Sequence, residues 1–176
     1  MIIYIWIILM VKTLEIKCHG RLVVPPARST CWREFPQQCK VEFNDNQMFC
    51  GGKETQWAQN GGKCGICGDN YSGPRKFELG GVGYTGFKVR HYSQGQTINV
   101  QVEVTANHLG YFEFRVCNVD ALIAIGQDAN QQCLDQNLLK DEFGNSRMLA
   151  NPGLGSFYNY RLILPPHLKC NHCVFQ

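Results

Sequence analysis

The amino-acid sequence predicts an all-β fold, an antiparallel β-sandwich with long disulfide-stapled loops. Three observations lead to this prediction: short segments alternate apolar and polar residues, 18 glycines punctuate the chain, and ten cysteines occur in 176 residues. Charged residues make up only 18% of the chain, whereas a helical bundle is richer in Ala, Leu, Glu and Lys. The length suits one domain with a sizeable core, with or without a leader.

The first eighteen residues are predicted to be a signal peptide. Residues 2–11 form an apolar run of the length of a signal peptide's hydrophobic region, which is too short to span a bilayer. No Lys or Arg precedes the run, and a buried apolar strand is the alternative interpretation. Once residues 1–18 are removed, residues 19–176 form the mature domain, which we expect to be secreted, extracellular and not bound to a membrane.

A long irregular region is predicted from Cys31 to Gly86. Pro25 and Pro26 force extended backbone just before it, and turn formers such as 44–46, 60–62 and 80–83 recur within it. Only a short helix around 56–59 is expected there. A stretch with so little regular structure needs crosslinks to hold it together.

Alternation of apolar and polar residues then predicts four strands, at 87–92, 97–104, 110–116 and 158–164. The clearest is 97–104, in which every second residue is an aliphatic one and these share one face: Ile98, Val100, Val102 and Val104. Short alternating strands with turns and cysteine staples between them predict an antiparallel sandwich of the immunoglobulin- or fibronectin-like type.

The ten cysteines are interpreted as disulfides, because so many thiols in a reducing cytosol would need a metal or a redox role. Removing Cys18 with the leader leaves nine, an odd number, so at least one lacks a partner within the chain. Cys31 and Cys39 are close enough in sequence to bridge, and Cys117 with Cys133 is a second candidate pair. Spacing alone does not establish the connectivity.

Two Cys-x-x-Cys pairs, 64–67 and 170–173, raise the alternative of a zinc site. Roughly 100 residues separate the pairs, which is far from the spacing of a zinc ribbon. The net charge of +3, without a cluster of Lys or Arg, argues against a nucleic-acid partner. We therefore expect neither zinc nor nucleic acid, and we expect a monomer.

His19 becomes the first residue of the mature protein if the leader is cut after Cys18. The free α-amine and the ring Nδ1 of such a histidine bind one metal together, and a second imidazole completes a T-shaped set of three nitrogens that favours Cu(II). The amine titrates near ~8, so binding at neutral pH displaces its proton. In the uncut precursor this nitrogen is an amide. His91, His167 and His172 are expected at the surface or on a rim.

A series of motifs then occurs in a specific order. They are 19–21 (His-Gly-Arg) with 25–29 (Pro-Pro-Ala-Arg-Ser), 44–46 (Asn-Asp-Asn) with 49–52 (Phe-Cys-Gly-Gly), 61–69, 105–108 (Thr-Ala-Asn-His) with 110–115 (Gly-Tyr-Phe-Glu-Phe-Arg), 164–166 and 173–176. In this order they resemble lytic polysaccharide monooxygenases of auxiliary activity family fifteen, also called the chitin-binding type-4 domain. The resemblance covers essentially all of residues 19–176.

The resemblance implies roles for four residues. His19 supplies the amine and Nδ1 to a single copper ion, and His108 supplies Nε2, so that the two form a histidine brace. Ala106 corresponds to the small residue that lies against an axial face of the copper. Glu113 is a candidate catalytic carboxylate that lies near the site without binding the metal.

The resemblance also implies the reaction. It requires copper, an external electron donor (a small molecule or a protein), and O2 or H2O2 as co-substrate. Hydrogen is abstracted at C1 or C4 of a β-1,4 linkage in a crystalline polysaccharide, which in this family is chitin more often than cellulose. No pair of carboxylates at glycosidase separation is needed. Relatives continue past the equivalent of 174–176, so we expect the C-terminal part of the domain, with its axial aromatic ligand, to be missing here.

Two other functions remain open on the sequence. One is a non-catalytic chitin- or copper-binding secreted protein of the same fold, and the other is a cysteine-rich structural matrix protein. Trp32, Trp57 and Tyr111 are residue types that bind sugar rings, but in a small sandwich tryptophan more often packs in the core or against the loops.

Overall fold

The computed structural model describes residues 19–107, 109–151, 153 and 155–176. The predicted signal peptide, residues 1–18, lies outside the described residues. The elements in chain order are β1 (His19–Val24), β2 (Thr97–Ala106), β3 (Tyr111–Phe112), β4 (Val116–Asn118), α1 (Asp120–Ala124), α2 (Gln131–Asp135), β5 (Lys140–Asp141), β6 (Met148–Leu149), β7 (Phe157–Ile163) and β8 (Cys173–Phe175). Within the described ranges, no helix is long and apolar enough to cross a membrane.

The main sheet has the strand order β1-β2-β7-β5, and all its pairs are antiparallel. The β2–β7 pairing is the most extensive and runs without a register shift from Thr97 opposite Ile163 to Glu103 opposite Phe157. Two small antiparallel sheets, β3-β6 and β4-β8, complete the set. The all-β antiparallel sandwich predicted from the sequence is confirmed.

The core lies between the main sheet and the two small sheets. From the main sheet come the alternating aliphatic residues of β2 together with Tyr158 and Leu162 of β7, and from the other side come Phe114, Val116 and Met148. The four β2 side chains predicted to share a face are all buried: Ile98, Val100, Val102 and Val104. Alternation in β2 therefore reflects one face on the core and one toward solvent.

The other strand predictions have mixed outcomes. The strand predicted at 158–164 forms as β7. The segment 110–116 contains β3 and only the first residue of β4, and these two short strands pair with different partners. Residues 87–92 form no strand. That segment instead contacts a neighbouring loop through its side chains: Phe87 packs edge-on against Phe35 at 5.1 Å, and Arg90 donates hydrogen bonds to Glu34. Alternation there arises from packing on a loop.

Among the described residues there are four disulfides: two lie in the irregular region, one joins β4 to α2, and one lies near the C-terminal end. The bridges Cys31–Cys39 and Cys117–Cys133 are confirmed, and Cys50–Cys64 and Cys170–Cys173 accompany them. Among the described cysteines Cys67 is unpaired, as the odd count requires. Because three of the four cysteines in the zinc alternative are disulfide-bonded, that alternative is excluded. The short helix predicted near 56–59 is a single π-helical turn, Thr55–Gln59.

Leu162 tests the core and Ile163, its neighbour on β7, provides the control. Leu162 is completely buried, whereas Ile163 is 39% exposed. We expect Leu162→Ala to lower the free energy of unfolding by about 2–5 kcal/mol because it leaves a cavity, and Ile163→Ala to lower it by less than about 1 kcal/mol. Chemical denaturation of the two variants and the parent measures both values. Equal losses of unfolding free energy in the two variants would contradict the conclusion that the Leu162 side chain packs in the core.

Candidate functional site

Two of the predicted site residues meet where β1 begins and β2 ends. His19, half-buried, is the first residue of β1, and its antiparallel partner is Ala106, the last residue of β2. The register shifts between His19 and Gly20, an irregularity of the kind that redirects a side chain at a strand end. His108 lies outside the described residues, and it follows Ala106 by two positions in the sequence.

A loop on the other side of β1 holds the start of this strand. The backbone N–H of Gly20 donates to the carbonyl of Asn46 (3.0 Å), and the Asn46 side chain donates to the Thr105 hydroxyl (3.2 Å). That hydroxyl in turn lies 3.4 Å from the carbonyl of His19, to which it donates. One loop residue thus connects the first residues of β1 to the end of β2.

Asp45 anchors this loop in the protein. Its side chain is buried, with the residue 2% exposed, and it accepts hydrogen bonds from Arg21 (2.9 Å) and from Arg33 (2.6 Å). Arg21 also pairs with Glu103 on β2. A buried carboxylate is tolerated because two guanidinium groups compensate its charge. Sequence reasoning singled out the motif 44–46 but assigned Asp45 no role, since its partners are 24 and 12 residues away.

Asn107 holds the turn that follows β2. Its Oδ1 accepts a hydrogen bond from the backbone N–H of Leu109 (2.7 Å), a contact that spans His108 in the sequence. Its Nδ2 donates to the carbonyl of Ala150 (3.2 Å) and to the hydroxyl of Tyr158 (2.5 Å). Asn107 belongs to the motif 105–108, in which the sequence indicated roles only for Ala106 and His108. The short-range sign that could have revealed the role of Asn107 is an Asn placed where it can form an Asx turn.

The backbone after His108 takes a left-handed conformation at two successive residues. Leu109 has φ 68° and Gly110 has φ 115°. Such a conformation costs about 1–2 kcal/mol at a residue with a Cβ atom, so it persists only where other contacts hold it. Besides the bond from Asn107, the N–H of Ala150 donates to the carbonyl of Gly110 (3.0 Å).

Glu113, the predicted catalytic carboxylate, contacts two arginines. It accepts hydrogen bonds from Arg115 (2.9 Å) and Arg147 (3.2 Å), and these lower the pKa of Glu113 below its usual range. The Arg147 guanidinium also lies over the ring of Tyr111, 4.5 Å from its centroid. The described contacts of Glu113 therefore hold Arg147 against Tyr111.

Three exposed apolar side chains lie next to this turn in the fold, and we call them the apolar patch: Leu109, Tyr111 and Leu149. Leu109 belongs to the turn itself, and Tyr111 on β3 pairs with Leu149 on β6. Exposed apolar residues that occur together mark interaction surfaces more often than isolated ones do. Of the other two aromatic candidates, Trp32 packs edge-on against Phe43, whereas Trp57 is 63% exposed.

A separate groove of about 700 Å³ contains other titratable groups. Among its lining residues are Arg28, Cys67, His91 and His172, and neither His19 nor Ala106 is one of them. Burial raises the pKa of Cys67 to about 12, so it stays a thiol at neutral pH. Burial, together with the positive charge of Arg28, lowers the pKa of His172. His91 and His172 are thus groove-lining residues, consistent with the rim position expected from the sequence.

Over the described ranges, no group of three or more His, Cys, Asp or Glu side chains is arranged to hold a metal ion. His108 is outside those ranges, so this finding does not bear on a site formed with it. It does mean that the described part of the chain offers no rival metal site of that kind.

Comparisons with known proteins agree with one another. A family model described as lytic polysaccharide mono-oxygenase, cellulose-degrading, matches residues 19–176. Among solved structures, the chain is similar to a lytic polysaccharide monooxygenase AA15 from Thermobia domestica in the Cu(I) state, at 40% sequence identity and a TM-score of 0.80. That match covers 89% of this chain and 80% of the other. No curated protein matches significantly.

Asp45 provides a test of how the loop supports the start of β1. Asp45→Asn keeps the shape of the side chain but leaves Arg21 and Arg33 without their buried counter-charge. We expect the free energy of unfolding to fall by roughly 2–3 kcal/mol, less than for a fully buried pair because Arg33 is solvent-accessible. Glu54→Gln, at an exposed carboxylate, is the control and should change it by less than about 0.5 kcal/mol. Urea denaturation compares the two, and equal stabilities would refute this role.

Proposed function

The chain belongs to the lytic polysaccharide monooxygenases, and we propose that His19 and His108 hold its copper and that its substrate is a crystalline β-1,4-linked polysaccharide. As a member of that family it is a copper-dependent monooxygenase that cleaves polysaccharide oxidatively. The finer assignments (ligands, substrate and position of oxidation) are the proposal.

One observation carries the proposal. His19 is the first residue of the family match and the first residue of β1, and its strand partner is Ala106. His108 follows Ala106 by two positions in the sequence, and two residues of chain span at most about 7 Å. The register therefore supports a site in which both histidines contribute nitrogen ligands.

The residues present fit copper. Two imidazoles and a free α-amine form an all-nitrogen donor set, which suits Cu(II) better than Mg²⁺ or Ca²⁺. We propose that residues 1–18 are a leader whose removal frees the amine of His19. When bound, the copper supplies the one-electron redox chemistry that activates the oxygen co-substrate. Ala106 presents only a methyl group opposite His19, so its side chain cannot act as a ligand.

The proposed reaction hydroxylates C1 or C4 of a β-1,4 linkage, after which the linkage breaks. With O2, one oxygen atom enters the C–H bond and the other leaves as water; an external donor supplies the two electrons, and two protons are taken up. With H2O2, the C–H bond gains one oxygen atom and water is released without further electrons. In this scheme Glu113 acts through Arg147, which it holds against Tyr111.

We propose crystalline chitin as the substrate and cellulose as the alternative. Cellulose is the polymer named in the description of the family model. The apolar patch supports an insoluble polymer, because Leu109, Tyr111 and Leu149 expose apolar surface next to the turn that contains His108. Such side chains suit the faces of sugar rings. They also suit the acetyl methyl groups, which chitin has and cellulose lacks.

We further propose that the protein is secreted and acts outside the cell as a monomer, with no nucleic-acid or membrane partner. Four disulfides among the described residues support an oxidising compartment.

Copper binding by the protein with a free His19 amine tests the ligands. With one equivalent of Cu(II), we expect an EPR spectrum of a single axial species with nitrogen couplings. His108→Ala should change that spectrum, and so should a form with one extra residue before His19, because the amine becomes an amide. Heterogeneous copper that is indifferent to His108 would refute the brace. Intact copper binding without oxidised oligosaccharides from chitin or cellulose would instead indicate a non-catalytic binding protein.

Tyr111 tests the substrate surface. Tyr111→Ala should weaken binding to the preferred polymer by about 1 kcal/mol, or roughly fivefold, because an aromatic face is lost. Tyr71→Ala is the matched control, since Tyr71 is also exposed and lies under an arginine, Arg75. Depletion assays on crystalline chitin and on cellulose measure both variants. Unchanged binding by Tyr111→Ala, or the same loss in both variants, would rule out this surface.

A further inference from the structure

We propose that Asn107 is a positioning residue: its side chain clamps the turn whose central residue is His108 and thereby sets the direction of that imidazole. The inference rests on the proposed function, because it takes His108 as a copper ligand. In addition to the proposed ligands, Asn107 would be a side chain that acts through His108 without binding the metal.

The Asn107 amide uses all of its hydrogen-bonding groups. Its oxygen accepts from the N–H of Leu109, while its nitrogen donates to the carbonyl of Ala150 and to the hydroxyl of Tyr158. A neutral amide has one acceptor oxygen and two N–H donors, and each of these has a partner here. The side chain is therefore held from three directions.

Asn107 is bound to a residue of the hydrophobic core. Tyr158 lies on β7, belongs to the hydrophobic core and donates its hydroxyl proton to the carbonyl of Asn151 (2.9 Å). Its strand pairs with β2 along seven residue pairs, the longest pairing in the main sheet. The turn after β2 is thus fastened to the adjacent strand of the same rigid sheet.

The backbone that Asn107 restrains has an unfavourable conformation. Leu109 and Gly110 both have positive φ, and a leucine leaves that region readily unless its N–H and its neighbours are held. The bond from Leu109 to Oδ1 of Asn107 spans one residue, and that residue is His108. Loss of the bond would let the turn relax at the position that bears the imidazole.

The same chain supplies a matched control at Asn118, the last residue of β4. Asn118 Oδ1 accepts from the N–H of Asp120 (2.9 Å), and its Nδ2 donates to the carbonyl of Lys169 (3.1 Å). It is therefore a second Asn that closes a turn and fastens it to a distant segment, but its turn contains neither brace histidine. If the role of Asn107 were purely structural, replacing either asparagine would have the same kind of effect: a lower Tm with unchanged copper binding.

The experiment compares Asn107→Ala, Asn107→Asp, Tyr158→Phe and Asn118→Ala with the parent that begins at His19. Three quantities are measured: the copper Kd by competition titration, the Cu(II) EPR spectrum, and the Tm of the metal-free protein. We expect Asn107→Ala to weaken copper binding by about 10- to 100-fold, the range found when a side chain that orients a metal ligand is removed, and to yield more than one Cu(II) species. Asn107→Asp keeps an acceptor for Leu109 and should fall between Asn107→Ala and the parent.

Asn118→Ala should lower the Tm while leaving the copper Kd within about twofold and the EPR spectrum unchanged, because only its stability role is lost. If Asn107→Ala lowers the Tm but keeps the parent Kd and spectrum, the clamp is structural only and the proposal is overturned. If Asn107→Ala does not fold, Tyr158→Phe decides, since it removes one anchor and leaves Asn107 in place: a several-fold weaker Kd supports the clamp, and parent values overturn it.

His108→Ala separates the two levels of inference. If it binds copper as the parent does, the proposed ligand set fails, and the clamp fails with it. If it differs from the parent while the Asn107 and Tyr158 variants do not, only the clamp fails.

Discussion

The pairing of β1 with β2 is the constraint on which the rest of the site depends. These strands run antiparallel in a register that places His19 opposite Ala106, so the first residue of β1 and the last residue of β2 are adjacent. A slip of one residue would turn the side chains of β1 to the opposite face of the sheet. The register is in turn maintained by β7, which flanks β2 on its other side, and by the aliphatic face that β2 buries.

The loops contribute by fastening this strand pair from outside. Ordering a long irregular chain costs entropy, which disulfides and buried ion pairs offset in different places. Near the site, the carboxylate of Asp45 accepts hydrogen bonds from two arginines. Its neighbour Asn46 is hydrogen-bonded to both Gly20 and Thr105. Because the loop makes these contacts with both strands, the position of His19 depends on a segment without regular structure.

A second ion pair connects loops that are far apart in sequence. Arg28 binds Asp128 with two hydrogen bonds, 2.6 and 2.9 Å long, across a separation of 100 residues. Burial alone would raise the pKa of Asp128, but the hydrogen bonds and charge of Arg28, with the N–H groups of Ala129 and Leu79, outweigh it and lower the pKa. The pair stabilises the fold above the ordinary pKa of an aspartate, and this stabilisation is lost as the pH falls through the lowered value.

The sequence by itself determined the fold class and the strand β2 with its buried face, and it offered two candidate disulfides, 31–39 and 117–133, and two histidines as candidate copper ligands. These follow from alternation, short separation and side-chain chemistry, all of which can be read locally. The segment 87–92 was wrongly predicted to be a strand, because its alternation of apolar and polar residues reflects packing on a loop. Only the tertiary structure decided the roles of Asp45 and Asn107. The partners of Asn107 at Ala150 and Tyr158 are 43 and 51 residues away, and no local pattern records which distant groups a fold brings within hydrogen-bonding distance.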